Sequence, residues 1–147
     1  MRTINKLIIV LFLILNFGSS SFAENNFFEE GKNKYDEQKY EESKFFFQRS
    51  IVFNPKDKDS YLYLAKIYNF EENKKEEEKN INTVLLLDPK NEEATYMLIE
   101  IELKKSNYSK VKKLSENFSK ICKKLCNKES SILDSLKNLE PKNESKQ

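Results

Sequence analysis

Cys122 and Cys126 are the residues of this chain best suited to covalent chemistry. They are its two cysteines, and they stand four positions apart. In an oxidising compartment an even number of cysteines tends to pair. Within one continuous helix that spacing places both on one face but gives poor disulfide geometry. A helix ending near Cys122 would instead let the pair bridge the turn that follows, at a gain of about 2 kcal/mol for so short a loop. Three readings stay open: a structural disulfide, two reduced core cysteines, and a redox-active pair.

Other candidate chemistry is thin. Glu29-Glu30 and Glu76-Glu77-Glu78 have the residue type for acid–base work, but such runs normally form a solvated helix face. No Asp-rich twelve-residue loop with a central glycine offers a calcium site. Asn107-Tyr108-Ser109 and Asn117-Phe118-Ser119 match glycosylation sequons, which an Asn- and Ser-rich chain yields by chance and which carry weight only in a eukaryotic source. The chain has no histidine, which excludes Ser-His and Cys-His catalysis, His-ligated metals and c-type haem attachment. Its two glycines leave no phosphate-cradling loop. No enzyme, metal or cofactor is expected.

Residues 1–23 read as a secretory signal peptide. Arg2 and Lys6 precede an apolar run over residues 7–15; Gly18, three serines and the Ser21-Phe22-Ala23 cleavage signature follow. Cleavage is expected after Ala23, giving a secreted or periplasmic protein. The run is shorter than the roughly 20 residues of a spanning helix, so membrane contact is expected only through an uncleaved leader. The 26 Lys and Arg less the two in the leader leave 24, against 24 Asp and Glu. A formally neutral mature chain has no net attraction to nucleic acid or anionic lipid, and no nucleic-acid partner is expected.

The elements that must carry these residues repeat. Asn54-Pro55-Lys56 and Asp88-Pro89-Lys90 are 34 residues apart. The same offset lays Phe27 on Tyr61, Gly31 on Ala65, Phe47 on Ile81, Ser50 on Val84, Ile51 on Leu85 and Phe53 on Leu87. A further step reaches Thr95, Ile99, Ser115, Phe118, Ser119 and Ile121, where the pattern fades and Lys123 replaces proline. Apolar residues in 45–53 recur at helical spacing, and the residue before each proline resists the α conformation. Tyr61, Leu64, Ala65 and Tyr68 share one helix face, and Asn91-Glu92-Glu93 supplies a cap and acids to another helix start. Helices are expected at about 25–37, 41–53, 59–71, 75–87, 92–104 and 107–122. Ile132, Leu133, Leu136 and Leu139 make an apolar stripe suited to a capping helix over residues 128–139. Residues 141–147 carry no large apolar side chain, and a disordered tail is expected there.

The period and residue types resemble the tetratricopeptide repeat, a unit of two antiparallel helices. Phe27, Gly31, Tyr40, Ser43, Phe47, Ser50 and Pro55 occupy the family's pattern positions in the first unit. The resemblance implies an all-α fold, with antiparallel helix hairpins stacked as a short right-handed solenoid and a C-terminal capping helix. The repeat domain would span residues 24–140, with units at about 24–57, 58–91 and 92–125. Two departures stand out. Glu77 occupies the small-residue position of the second unit, so its helices should cross less closely unless the side chain lies outside the contact. Gln38 and Glu72 replace the usual glycine at the turn between helices, at some cost if a left-handed conformation is required.

In such stacks the first helices line a concave face where partner peptides dock. The corresponding residues are Phe28, Lys32 and Tyr35, then Leu62, Lys66 and Asn69, then Tyr96, Glu100 and Leu103. The Lys/Asn/Arg set with which chaperone-binding members clamp a C-terminal carboxylate is absent, since Phe28 and Leu62 stand at positions that need polar residues. The resemblance thus implies an exported adaptor whose apolar-aromatic groove binds a protein or peptide through an apolar or amphipathic segment, in envelope assembly or client chaperoning. The alternative is a structural or oligomerisation subunit whose concave face is permanently covered.

Overall fold

The computed structural model describes residues 22–139. Among them are seven α-helices, one 3₁₀ turn and no strand: α1 (Phe22–Asp36), α2 (Tyr40–Phe53), α3 (Lys58–Phe70), α4 (Lys74–Leu87), α5 (Glu92–Lys104), α6 (Tyr108–Ile121), a 3₁₀ turn (Cys126–Lys128) and α7 (Glu129–Leu139). Each expected helix lies within about a residue of these bounds, except that α1 begins earlier, so the all-α hairpin architecture stands. The leader and tail fall outside the described residues, apart from Phe22 and Ala23 in the first turn of α1.

Each hairpin turns in the same way. Gln38, Glu72 and Ser106, spaced by 34 residues, adopt φ of 61°, 57° and 55°. Their N–H groups donate to the carbonyls of Tyr35, Asn69 and Leu103. The N–H groups of Lys39, Asn73 and Asn107 reach back to Lys34, Tyr68 and Glu102. This paired bonding satisfies the orphan carbonyls of a helix end and requires a left-handed residue, usually glycine. No glycine stands at any of the three positions. The left-handed conformation considered at Gln38 and Glu72 is therefore real, and Ser106 shares it.

Connections between hairpins are also repeated. The N–H groups of Asn54, Asp88 and Cys122 close the second helices on Ser50, Val84 and Phe118. The side chains of Asn54 and Asp88 then accept from the N–H groups of Lys56 and Lys90, each at 3.2 Å. This local turn chemistry carries the chain across Pro55 and Pro89. The new helices begin on side-chain caps: Asp57 accepts from Ser60 N–H at 3.2 Å, and Asn91 from Ala94 N–H at 2.9 Å.

The chain forms two compact units, divided within α3 between Ser60 and Tyr61. In the first, α1 packs on α2 through Phe47, and Ser43 Oγ donates to the Gly31 carbonyl at 2.8 Å. In the second, Leu62, Ala65, Ile81, Val84, Ala94, Met97, Leu98 and Ile101 form one buried core. A second core there joins Ile99, Val111 and Phe118 to Ile132 of α7, with Leu136 and Leu139 packed against it. Leu64, Leu98 and Ile132 are all buried at the 34-residue interval. The capping helix thus sits in the register of a further first helix.

Candidate protein-docking surface

The expected lining residues divide between the units. In the first, Phe28 is half-buried, with its ring centroid 5.8 Å from that of Phe47. Tyr35 is also half-buried and lies 5.6 Å from Tyr40, while Lys32 is exposed.

Within the second unit, Leu62 lies in the core. It is 7% exposed and belongs to the core with Ile81 and Val84, so it offers no free apolar surface. The reason is rotational: Leu62 precedes Ala65 by three residues, so the two lie on one side of α3, and Ala65 faces α4. Lys66 bonds Glu93 at 2.8 Å and lies 4.8 Å from the centroid of the Tyr63 ring. That ion pair ties α3 to α5. Tyr96 OH donates to Glu100 at 2.8 Å, and its ring packs against Phe118, centroids 6.1 Å apart. Lys128 Nζ lies 5.7 Å from the centroid of the Tyr96 ring, and Leu103 packs on the second core. Burial, with the bond to Glu100 and its negative charge, pushes the Tyr96 phenol up to about 12.

Asn69 is committed to Glu77. Its amide donates to the carboxylate, and Lys74 donates to the other oxygen at 3.0 Å. Glu77 is 1% exposed. The charge at a small-residue position is therefore inside the hairpin contact, and it is accommodated because both oxygens are bonded and a cation is adjacent.

Two groups in this unit, Glu102 and Lys105, have no signature in the sequence, and Glu92 does more than begin a helix. Buried Glu102 accepts from Lys110 at 2.9 Å, Asn107 at 2.9 Å and Lys105 at 3.4 Å. Burial pushes its carboxyl up, but the bonds from Lys110 and Asn107 and the nearby lysine charges win, leaving it below the ordinary value. Lys105 also reaches Glu78 at 2.7 Å, and that bond raises its own value despite partial desolvation. Glu92 accepts the backbone N–H groups of Lys123, Lys124 and Leu125. Those bonds, Lys123 foremost, hold its carboxyl below the ordinary range. Position alone marks Glu92 as a helix-start acid; a loop of converging N–H groups 31 to 33 residues downstream has no signature in the sequence.

Cys122 and Cys126 are joined in a disulfide, with Cα atoms 5.2 Å apart. The bridge spans the same loop whose N–H groups face Glu92. Helix α6 ends at Ile121, which frees Cys122 from helical geometry. Among the described residues no cluster of His, Cys, Asp or Glu is placed to hold a metal ion, and no helix is long and apolar enough to cross a membrane.

No protein-family model and no curated protein matches this sequence. Solved structures do match the fold. The TPR2B domain in its pHsp70 complex, from yeast Sti1, superposes with a TM-score of 0.67 at 12% identity, covering 80% of this chain and 98% of that one. A chain of the CopN–Scc3 complex superposes with a TM-score of 0.65 at 21% identity, covering 80% of this chain and 71% of that one. Repeated left-handed turns, a 34-residue register and these superpositions agree that the chain has a tetratricopeptide-like fold.

Proposed function

We propose that this protein is an exported, non-catalytic scaffold that holds a protein or peptide partner against the first helices of its hairpins. The two similar folds are both described in complexes with protein partners, which supports a protein-binding role. The observation that carries the reading is the Lys66–Glu93 pair, which brings α3 and α5 side by side. Tyr63, Lys66, Glu93, Tyr96 and Glu100 then supply aromatic rings and charges, a composition suited to recognition. An amphipathic segment is the ligand class that suits this mixture; the first unit carries its own aromatic stretch at Phe28, Lys32 and Tyr35. With Phe28 and Leu62 at the positions a carboxylate clamp would need, a free C-terminal carboxylate is not the expected ligand. Export rests on the leader, and a role in envelope assembly or client chaperoning rests on export.

A photo-crosslinking residue placed at Tyr63 or Glu93 should capture one partner from an envelope fraction, whereas the same residue at Lys113 on the far side of α6 should not. Equal labelling at all three positions would sink the reading. A second reading, a subunit whose first-helix face is permanently filled, draws support from Tyr96 and Leu103, which already pack on Phe118 and the second core.

A further inference from the structure

Helix α2 is apolar on two sides. Its inward side buries Ser43, Phe47 and Ser50 against α1. On the opposite side Phe45 and Val52 are 55% and 73% exposed, and Phe53, on the flank, is 52% exposed. Residues 45, 49 and 52 fall on one stripe at helical spacing. Arg49, the one arginine outside the leader, lies between the aromatic rings, 5.4 Å from the centroid of Phe27 and 5.8 Å from that of Phe45. Phe27 stacks on Phe53 at 5.4 Å, and Phe45 meets Phe46 edge-on at 5.4 Å.

The repeat supplies an internal control for whether the fold needs these residues. At the equivalent positions α4 has Lys79, Thr83, Leu86 and Leu87, and α6 has Lys113, Asn117, Lys120 and Ile121. The same hairpin therefore forms with lysine and asparagine on this side. An exposed stripe of aromatic and β-branched residues around an arginine has the composition of an interface core, and hairpin packing engages only Phe53 of it, through Phe27.

The charges say what fits there. Glu42 is exposed seven residues before Arg49, on the same outward side of α2. A two-fold axis crossing α2 between Phe45 and Phe46 would set Glu42 opposite Arg49 of a second copy, and Arg49 opposite the second Glu42. Phe45 would then meet its own counterpart beside the axis. The face is complementary to itself turned end for end, which is the requirement of an isologous contact. Arg49 makes no ion pair among the described residues, and Glu42 meets Lys34 at 3.4 Å on the surface. We infer that the outward face of α2 pairs antiparallel with α2 of a second copy, centred on Phe45, with reciprocal Glu42–Arg49 ion pairs on either side of the axis and Val52 at each end of the contact. This inference is independent of the partner-binding role of the first helices.

A contact one helix wide is at the small end of specific interfaces, so the dimer should be concentration-dependent, with a midpoint of about 10–100 µM. Sedimentation equilibrium of the purified protein from about 1 to 300 µM covers that range. Phe45→Glu and Val52→Lys should each raise the midpoint at least about tenfold while leaving the thermal unfolding midpoint unchanged. Glu42→Arg and Arg49→Glu alone should each weaken association about tenfold, since like charges then face each other. The double variant E42R/R49E should return to within about threefold of the unmodified protein. A monomer at every concentration would overturn the inference and leave the stripe to a different partner. So would a dimer indifferent to both Phe45→Glu and Val52→Lys, or a double variant no better than the single ones.

Discussion

The ring of Phe47 lies where a side chain on Gly31 would have to go. A Cβ built on Gly31 would stand 2.8 Å from Cδ1 and 2.8 Å from Cε1 of that ring. Phe47 is fully buried, so it has nowhere to retreat. Along the repeat the two positions trade volume. Glycine faces phenylalanine in the first hairpin, alanine faces isoleucine in the second, and isoleucine accompanies serine in the third. The helix crossing thus conserves total side-chain volume and lets each residue vary, as close-packed interiors require.

Gly31→Ala is expected to destabilise the first hairpin by about 1–3 kcal/mol through overpacking, despite the better helix propensity of alanine. Adding Phe47→Ile, which recreates the Ala65 and Ile81 pair, should recover most of that loss. Denaturant unfolding of the two single variants and the double variant gives the coupling directly. Phe47→Ala alone should cost about 3–5 kcal/mol by leaving a cavity.

The turns offer gains in stability. Gln38, Glu72 and Ser106 hold a left-handed backbone that costs a side-chain-bearing residue about 1–2 kcal/mol. Replacing any of them by glycine should raise stability by about 1 kcal/mol, after allowing for glycine's greater unfolded-state entropy. Glu72→Val should do the opposite. Thermal melts of the four variants would show whether the three turns contribute independently.

Reduction of the Cys122–Cys126 bridge should cost about 2 kcal/mol. The loss should be local, because the bridge frames the loop whose N–H groups face Glu92 and which leads into α7. Hydrogen exchange in residues 123–139 should accelerate on reduction while α3 and α4 remain protected. Cys122→Ser with Cys126→Ser should reproduce the effect without reductant. Uniform acceleration along the chain would show a global staple instead.

Acid should weaken the second unit through two carboxylates. Glu92 and Glu102 are held below the ordinary value of 4.5 in the folded protein. Groups with lowered folded-state values bind fewer protons than the unfolded chain. Their contribution is complete above about 4.5 and is lost as pH falls through the lowered values. Glu102→Gln should flatten the acid limb of a plot of thermal midpoint against pH. It should also lower stability near neutrality, since the lysine charges around it then lose their partner.

Tyr96 sets the alkaline limb. Its phenol is pushed from 10.0 up to about 12, so the folded state favours the protonated form. That stabilisation is present below about 10 and is lost as pH rises toward about 12. Ultraviolet titration should show one of the seven tyrosines ionising late, and Tyr96→Phe should remove that step.

The 34-residue spacing of Pro55 and Pro89, the alternating apolar faces and the Asn caps were enough to place every described helix, because they act through local backbone chemistry and helical periodicity. The left-handed turns at Gln38 and Glu72 were legible for the same reason: they fall where the repeat demands such a residue. Whether a residue at lining spacing is lining or core depends on how far each helix rotates against its neighbour. Leu62 shows this, since only packing against Ile81 and Val84 turned it inward. The burial of Glu77 beside Asn69, the loop that closes on Glu92 and the Cys122–Cys126 bridge likewise depend on groups that meet across turns and between helices. Periodicity along a chain reports which residues share a face; only the folded chain decides what that face meets.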